Sequence, residues 1–162
     1  MNNNKLKEIA KLALFILIPL IVGGISALLT KNSMSEFKNL NQPNLSPPAW
    51  LFPVAWTILY ILMGISSYLI YKNKNVFFYK ERDNYLILYI IQLIFNFFWS
   101  IIFFNMKMYY FAFIWLIILW ILILSLIINA KKVNKIAYYL LIPYIIWVTF
   151  AGYLNIMIAI LN

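Results

Sequence analysis

The chain has 162 residues, of which 65% are hydrophobic, 19% aromatic and only 10% charged, with a formal net charge of +9. A soluble domain carries about 25% charged residues and must cover a large surface with polar groups. This composition therefore excludes a water-soluble globule, and the aromatic content excludes a disordered chain. Neither Cys nor His is present, which removes thiolate nucleophiles, disulfides, His/Cys zinc sites, His-ligated haem and the Ser-His-Asp triad. What remains is a small integral membrane protein, which the five spans below make all-α.

A spanning helix needs about 20 mostly apolar residues. Residues 12–30 supply the first, with Pro19 and the pair Gly23-Gly24 inside it. Lys5, Lys7 and Lys11 in front of it imitate a signal peptide, but the apolar run exceeds the ~7–15 residues of such a segment and its cleavage signal is poor. A retained span is expected. Residues 31–48 are polar and hold Pro43, Pro47 and Pro48. Connections longer than about 12–15 residues tend to be lids or disordered. The prolines favour a structured lid, with Pro47, Pro48 and Trp50 where it meets the next span; a plain linker is the alternative.

The second span is predicted over 49–71. Residues 72–84 carry six charges and read as a second loop. The stretch 85–130 holds one charge, Lys107. As one helix it would be about 69 Å long, more than twice the ~30 Å hydrocarbon layer. It must fold back, and Asn105-Met106-Lys107-Met108 is the polar interruption that predicts the turn. The third and fourth spans are then 85–104 and 109–130, closed by Lys131, Lys132 and Lys135. The fifth is 136–161, and all five belong to one membrane domain over 1–162.

Five spans place the termini on opposite sides. Of the 13 basic residues, ten fall on the side of the N-terminus, the second loop and the fourth loop. Only Lys31, Lys38 and Lys107 fall on the other. The positive-inside rule then predicts a cytoplasmic N-terminus and an outer first loop and C-terminus, and the chain's wealth of Ile, Leu, Asn, Lys, Phe and Tyr suits a bacterial cell-membrane protein. The net charge is an orientation signal, and no basic soluble module exists to bind nucleic acid.

No ionisable residue lies deep in a span, which argues against a proton-driven pump and against paired-carboxylate catalysis. Uncharged polar and aromatic side chains are left to carry function. Gln92, Asn96 and Ser100 recur at i, i+4 and i+8 on one face of the third span, beside Trp99 and Phe103. That face reads either as helix-to-helix hydrogen bonding or as a ligand site with Asn96 aimed at the guest. Trp56, Tyr60 and Gly64 share a face of the second span; Tyr144, Trp147, Ala151 and Asn155 share one of the fifth. Trp56 and Trp147 lie deep enough to need acceptors for their indole N–H groups. Trp50, Tyr71, Tyr85, Tyr109, Tyr110, Tyr138 and Tyr139 fall near span ends and fit an interfacial aromatic belt.

Three segments then carry a resemblance. Pro43 to Tyr71 (PNLSPPAWLFPVAWTILYILMGISSYLIY), Gln92 to Phe104 (QLIFNFFWSIIFF) and Leu140 to Asn155 (LLIPYIIWVTFAGYLN) resemble, in order, the signature segments of the translocator protein family. That family comprises the bacterial tryptophan-rich sensory proteins (TspO) and the mitochondrial peripheral benzodiazepine receptor. The resemblance implies a five-helix bundle, usually a homodimer, with a ligand cavity open towards the first loop. It implies binding of porphyrins and of benzodiazepine-like or isoquinoline compounds, with porphyrin as ligand and no cofactor required. By motif, Trp56 and Trp147 match the tryptophans of porphyrin handling and Asn96 the third-helix amide. Tyr60, Trp99, Phe111, Ala151 and Leu154 match pocket-lining positions. The fifth span ends without the aromatic and basic pair of the sterol-recognition pattern, which counts against cholesterol.

The resemblance thus implies a membrane receptor or sensor for tetrapyrroles, linked to porphyrin homeostasis or stress. It leaves open whether the protein is an enzyme. A light- and oxygen-dependent breakdown of the bound porphyrin, assisted by Trp56 or Trp147, would need no conventional acid, base or metal. Transport of tetrapyrroles and a scaffold role are further alternatives.

Overall fold

The five apolar stretches each fold as one helix in the computed structural model, which describes residues 3–37 and 39–162, without the side chains of Asn3 and residues 35–37. They are α1 (Asn3–Phe37), α2 (Leu51–Lys72), α3 (Tyr79–Ser100), α4 (Tyr109–Val133) and α5 (Lys135–Leu161). All five are long and apolar enough to cross a membrane, and no strand occurs among the described residues. A helix satisfies its backbone polar groups internally, which hydrocarbon demands. The chain is an all-α, multi-pass integral membrane protein.

The boundaries differ from the predicted spans wherever polar residues carry a helix on into water. α1 was expected over 12–30 but runs from Asn3 to Phe37. It is about 52 Å long against an ~30 Å hydrocarbon layer, so both ends project. The start of the predicted loop 31–48 is therefore helix, and residues 39–50 make the connection. Lys38 lies outside the described residues. α3 begins at Tyr79 rather than 85, with Lys80, Glu81, Arg82 and Asp83 in its opening turns. Glu81 there suits the positive end of the helix dipole. α4 continues to Val133, with Lys131 and Lys132 in its last turn, where cations are favourable. Asn134 alone joins α4 to α5. Its Oδ1 accepts from the N–H groups of Ile136 (2.9 Å) and Ala137 (3.1 Å), an N-cap that starts α5 at once.

The predicted reversal at 105–108 is present. α3 passes into one π-helical turn, Ile101–Asn105, closed by the Met106 N–H on the Ile101 carbonyl at 3.0 Å. Lys107 adopts φ 54°, and the chain enters α4. Such π turns gather at functional sites; this one positions Phe103 and Phe104.

The helices close a ring. α1 packs on α2, α2 on α5, α5 on α4 and α4 on α3, and α1 returns to α3 and the π turn. Two indoles stitch α4 to its neighbours. Trp115 Nε1 donates to the Phe95 carbonyl at 2.8 Å, its ring stacked on Phe95 at 4.4 Å. Trp120 Nε1 donates to Thr149 Oγ1 at 2.9 Å. The α1–α2 contact is made differently. Pro19 has no N–H to offer the Phe15 carbonyl four residues back, and Gly64 of α2 seats against that carbonyl and the Ile16 backbone. A Cβ at position 64 would lie 2.6 Å from both.

Tyr85 does not join the interfacial belt. It is fully buried, and its hydroxyl meets Ser66 at 3.0 Å and Ser67 at 3.2 Å, while Ser66 also donates to the Ala137 carbonyl. The extra helical turns before residue 85 set this tyrosine inside the bundle rather than at its edge. Trp50, Tyr71, Tyr110 and Tyr139 are exposed.

Candidate functional site

A cavity of about 760 Å³ opens at the end of the bundle where α1 and α2 are joined. It falls within the ~300–1,000 Å³ typical of small-molecule sites. From α1 it takes Gly23, Ser26, Ala27, Thr30, Lys31 and Met34, one helical face by their spacing of three and four. From α2 it takes Phe52, Pro53, Trp56 and Tyr60; from α3 and the π turn, Trp99, Ser100, Phe103 and Phe104; from α5, Ala151, Leu154 and Asn155. Gln42, Pro43, Ser46, Pro47 and Ala49 complete it from the connection, whereas α4 contributes no wall residue. A smaller cavity of about 260 Å³ adjoins it and shares Phe103 and Phe104.

The walls are aromatic and apolar. Trp56 stacks on Tyr60 with ring centres 5.5 Å apart, and Trp99 on Phe103 at 5.3 Å. Tyr60 in turn lies over Gly23, where a Cβ would strike the ring. Lys31 is the only charged side chain on the wall among the described residues. No cluster of His, Cys, Asp or Glu able to hold a metal occurs among the described residues.

Beneath the cavity runs a ladder of side-chain hydrogen bonds. The Tyr60 hydroxyl donates to Asn96 Oδ1 at 2.8 Å, and Asn96 Nδ2 donates to the Tyr144 hydroxyl at 3.1 Å. The Tyr144 hydroxyl donates to Gln92 Oε1 at 2.7 Å. Asn96 is 2% exposed and Tyr144 and Gln92 are fully buried. An amide in hydrocarbon demands partners, and α2 and α5 supply both for Asn96. A second link runs from Trp99 Nε1 to Asn155 Oδ1 at 3.1 Å and from Asn155 Nδ2 to the Tyr109 carbonyl at 2.8 Å. It joins α3, α5 and the start of α4.

A pair of asparagines fastens the connection. The Asn41 N–H donates to Asn162 Oδ1 at 2.9 Å, Asn162 Nδ2 donates to the Asn41 carbonyl at 3.2 Å, and Asn41 Nδ2 donates to the Leu161 carbonyl at 3.1 Å. Within the connection the Ser46 N–H closes a turn on Pro43, and Ser46 Oγ donates to Gln42 Oε1. The segment over the cavity is thus held at its start by the end of α5.

Of the residues singled out from sequence, Trp56, Tyr60, Trp99, Ser100, Ala151, Leu154 and Pro47 stand on the wall. Asn96 and Tyr144 lie one layer below it. Trp147 stands behind Phe52, edge-on at 6.1 Å, with its indole N–H buried and without a partner in the described structure. Phe111 is 43% exposed on the outer surface of α4 beside Trp115 and off the cavity wall, because the inward face of α4 at this level is taken by Ala112 and Leu116. Pro48 accepts from the Leu51 N–H at the start of α2, and Trp50 is 65% exposed. The α1 face was not foreseen. Its signal was the run of small residues Gly23, Ser26, Ala27 and Thr30 on one side of an otherwise bulky apolar helix.

Residues 15–161 match the sequence pattern of the TspO/MBR family. The chain is 38% identical to the tryptophan-rich protein TspO of Chlorobaculum tepidum, over 96% of this chain and 98% of that one. It is 32% identical to the translocator protein of Bos taurus, over 87% and 83%. It is 33% identical to the tryptophan-rich sensory protein of Cereibacter sphaeroides, over 74% and 72%.

Proposed function

The chain belongs to the TspO/MBR family, and from that membership we propose that it is a membrane receptor for porphyrins and similarly flat, benzodiazepine-like molecules, serving porphyrin homeostasis or stress. The observation that carries this reading is the cavity: about 760 Å³, walled by stacked aromatics, with the cation Lys31 on its wall. A porphyrin is a flat apolar disc bearing two carboxylates. The Trp56–Tyr60 pair offers a flat apolar surface to stack against, at roughly 0.5–1.5 kcal/mol beyond area burial. Lys31 is exposed near the end of α1 and lines the cavity, and in this reading its ammonium group pairs with a carboxylate at the rim. In this reading the basic end of the bundle faces the cytoplasm and the cavity opens outward.

The test is a dark titration of protoporphyrin IX into the purified protein, followed by absorbance and Trp quenching. Saturable micromolar binding, displaced by a benzodiazepine-type compound and lost in Trp56→Ala, is expected. Absence of saturable binding in the folded wild-type protein would overturn the reading.

One observation favours a second reading, light-driven breakdown of the bound porphyrin. Trp56 is an oxidisable indole on the wall itself, stacked on the oxidisable phenol of Tyr60. A bound photosensitiser would touch it. Intact dark binding with lost photobleaching in Trp56→Phe would support that chemistry, whereas parallel loss of both would reduce the indole to a binding contact.

A further inference from the structure

The connection between α2 and α3, at the opposite end of the bundle from the cavity, presents a surface that ligand binding does not use. Residues Val76–Phe78 form one 3-10 turn. Phe77 is 86% exposed and Val76 65%, a large apolar tip for a segment flanked by charges. The exposure is built in. The Phe77 N–H donates to Asn75 Oδ1 at 3.1 Å, the Phe78 N–H to the Asn75 carbonyl at 3.1 Å, and the Asn75 N–H to Asn73 Oδ1 at 2.9 Å. Asn73 Nδ2 then donates to the Val133 carbonyl at 3.0 Å, which ties the turn to the end of α4. The tip is held outward by a chain of asparagine bonds.

Cations surround it. Lys72 and Lys74 precede the turn, and Lys80 and Arg82 follow it. Arg82 pairs with Asp83 at 2.9 Å, but Lys72, Lys74 and Lys80 form no salt bridge among the described residues, Lys72 lying over the Tyr68 ring at 5.8 Å. Partly exposed Tyr71 and Tyr79 bracket the turn, the residue type that sits where hydrocarbon meets headgroups. An apolar tip between ammonium groups free of salt bridges at that level matches one surface chemically. The ring enters the acyl boundary, and the lysines meet anionic headgroups.

We propose that the Lys72–Arg82 segment is an anchor for anionic phospholipid, with Phe77 inserted at the interface and Lys72, Lys74 and Lys80 engaging the headgroups. A zwitterionic bilayer offers the ring a place but gives the three ammonium groups no net attraction. An acidic soluble protein would attract the lysines but leaves the aromatic tip needing a pocket.

The chain contains no Cys, so Phe77→Cys can carry a single nitroxide label, with Val76→Cys as a second site. Each labelled protein is reconstituted into vesicles of pure phosphatidylcholine and into vesicles mixed with phosphatidylglycerol. Collisions with dissolved oxygen and with a water-soluble nickel chelate report depth. In the mixed vesicles oxygen collisions should rise and chelate collisions fall several-fold relative to phosphatidylcholine. Changing Lys72, Lys74 and Lys80 to Gln should abolish that difference while the far-UV circular dichroism stays unchanged. A label equally deep in both vesicles overturns the anionic selectivity. A label open to the chelate in both overturns the anchor altogether and leaves an acidic protein as the occupant.

Discussion

The Tyr60 hydroxyl donates to Asn96 Oδ1 at 2.8 Å, so a residue of the cavity wall is fixed by an amide that the cavity does not reach. The same amide holds Tyr144 of α5. Three helices therefore share one buried polar group, and the aromatic surface offered to a ligand depends on it.

Removing Asn96 should destabilise the bundle. Asn96→Ala leaves two buried tyrosine hydroxyls short of a partner, at a cost of about 1–3 kcal/mol. A double-mutant cycle of Tyr60→Phe with Asn96→Ala, read by detergent-denaturation midpoints in mixed micelles, should give a coupling of ~0.5–1.5 kcal/mol. A coupling of zero would mean that the bond adds nothing to stability.

Gly64→Ala should be harmful out of proportion to one methyl group. The new Cβ would meet backbone atoms of Phe15 and Ile16 at 2.6 Å, and backbone cannot swing aside as a side chain can. Overpacking of this kind costs about 1–3 kcal/mol. Gly24→Ala, in open space on the same helix pair, is the control and should be neutral or slightly stabilising. Equal melting temperatures for the two variants would contradict the close α1–α2 approach.

The two deep tryptophans should part company in binding. Trp56 lines the cavity and Trp147 stands behind Phe52. Trp56→Ala removes a stacking surface worth several kcal/mol of burial and should weaken protoporphyrin binding by at least about tenfold. Trp147→Phe, which keeps an aromatic ring against Phe52, should change the dissociation constant by less than about threefold, since it alters packing one layer away. The reverse ranking in the same dark titration would place the ligand elsewhere.

The Asn41–Asn162 clasp should govern entry and exit more than affinity. Asn162→Ala deletes two of the three hydrogen bonds between Asn41 and the end of α5 that hold the start of the segment over the cavity. With each worth about 1 kcal/mol, association and dissociation of the ligand should both accelerate by roughly fivefold or more. Stopped-flow Trp quenching separates the two rates. A change in dissociation alone would show that the segment contacts the ligand rather than gating it.

Much of this architecture is legible in the sequence because hydrocarbon imposes a simple length rule. The five helices follow from it, and so does the reversal near Lys107, which an unbroken apolar stretch forces. Helix ends are less legible. Lys80 to Asp83 look like a loop by hydropathy, yet in water a helix needs no apolar side chains, so α3 starts at Tyr79. The i, i+4 spacing correctly puts Gln92 and Asn96 on the inward face, but not which hydroxyls they meet, since Tyr60 and Tyr144 arrive from distant helices. Phe111 shows the limit in a chain this rich in aromatics: a ring facing lipid and a ring facing a cavity leave the same mark. The clasp between residues 41 and 162 could not have been read at all, because nothing local in either asparagine points to the other.

α4 spans the membrane without lending a single side chain to the cavity, while its indoles lock α3 and α5 in place. Part of the scaffold is thus kept by a helix that stands outside the chamber, whereas α2, α3 and α5 are wall and frame at once. Exchanging Ser26, Ala27 or Thr30 for larger residues would re-cut the chamber for a smaller molecule and leave those locks untouched. Chains of this architecture can therefore diverge in what they hold while drifting little in how they fold.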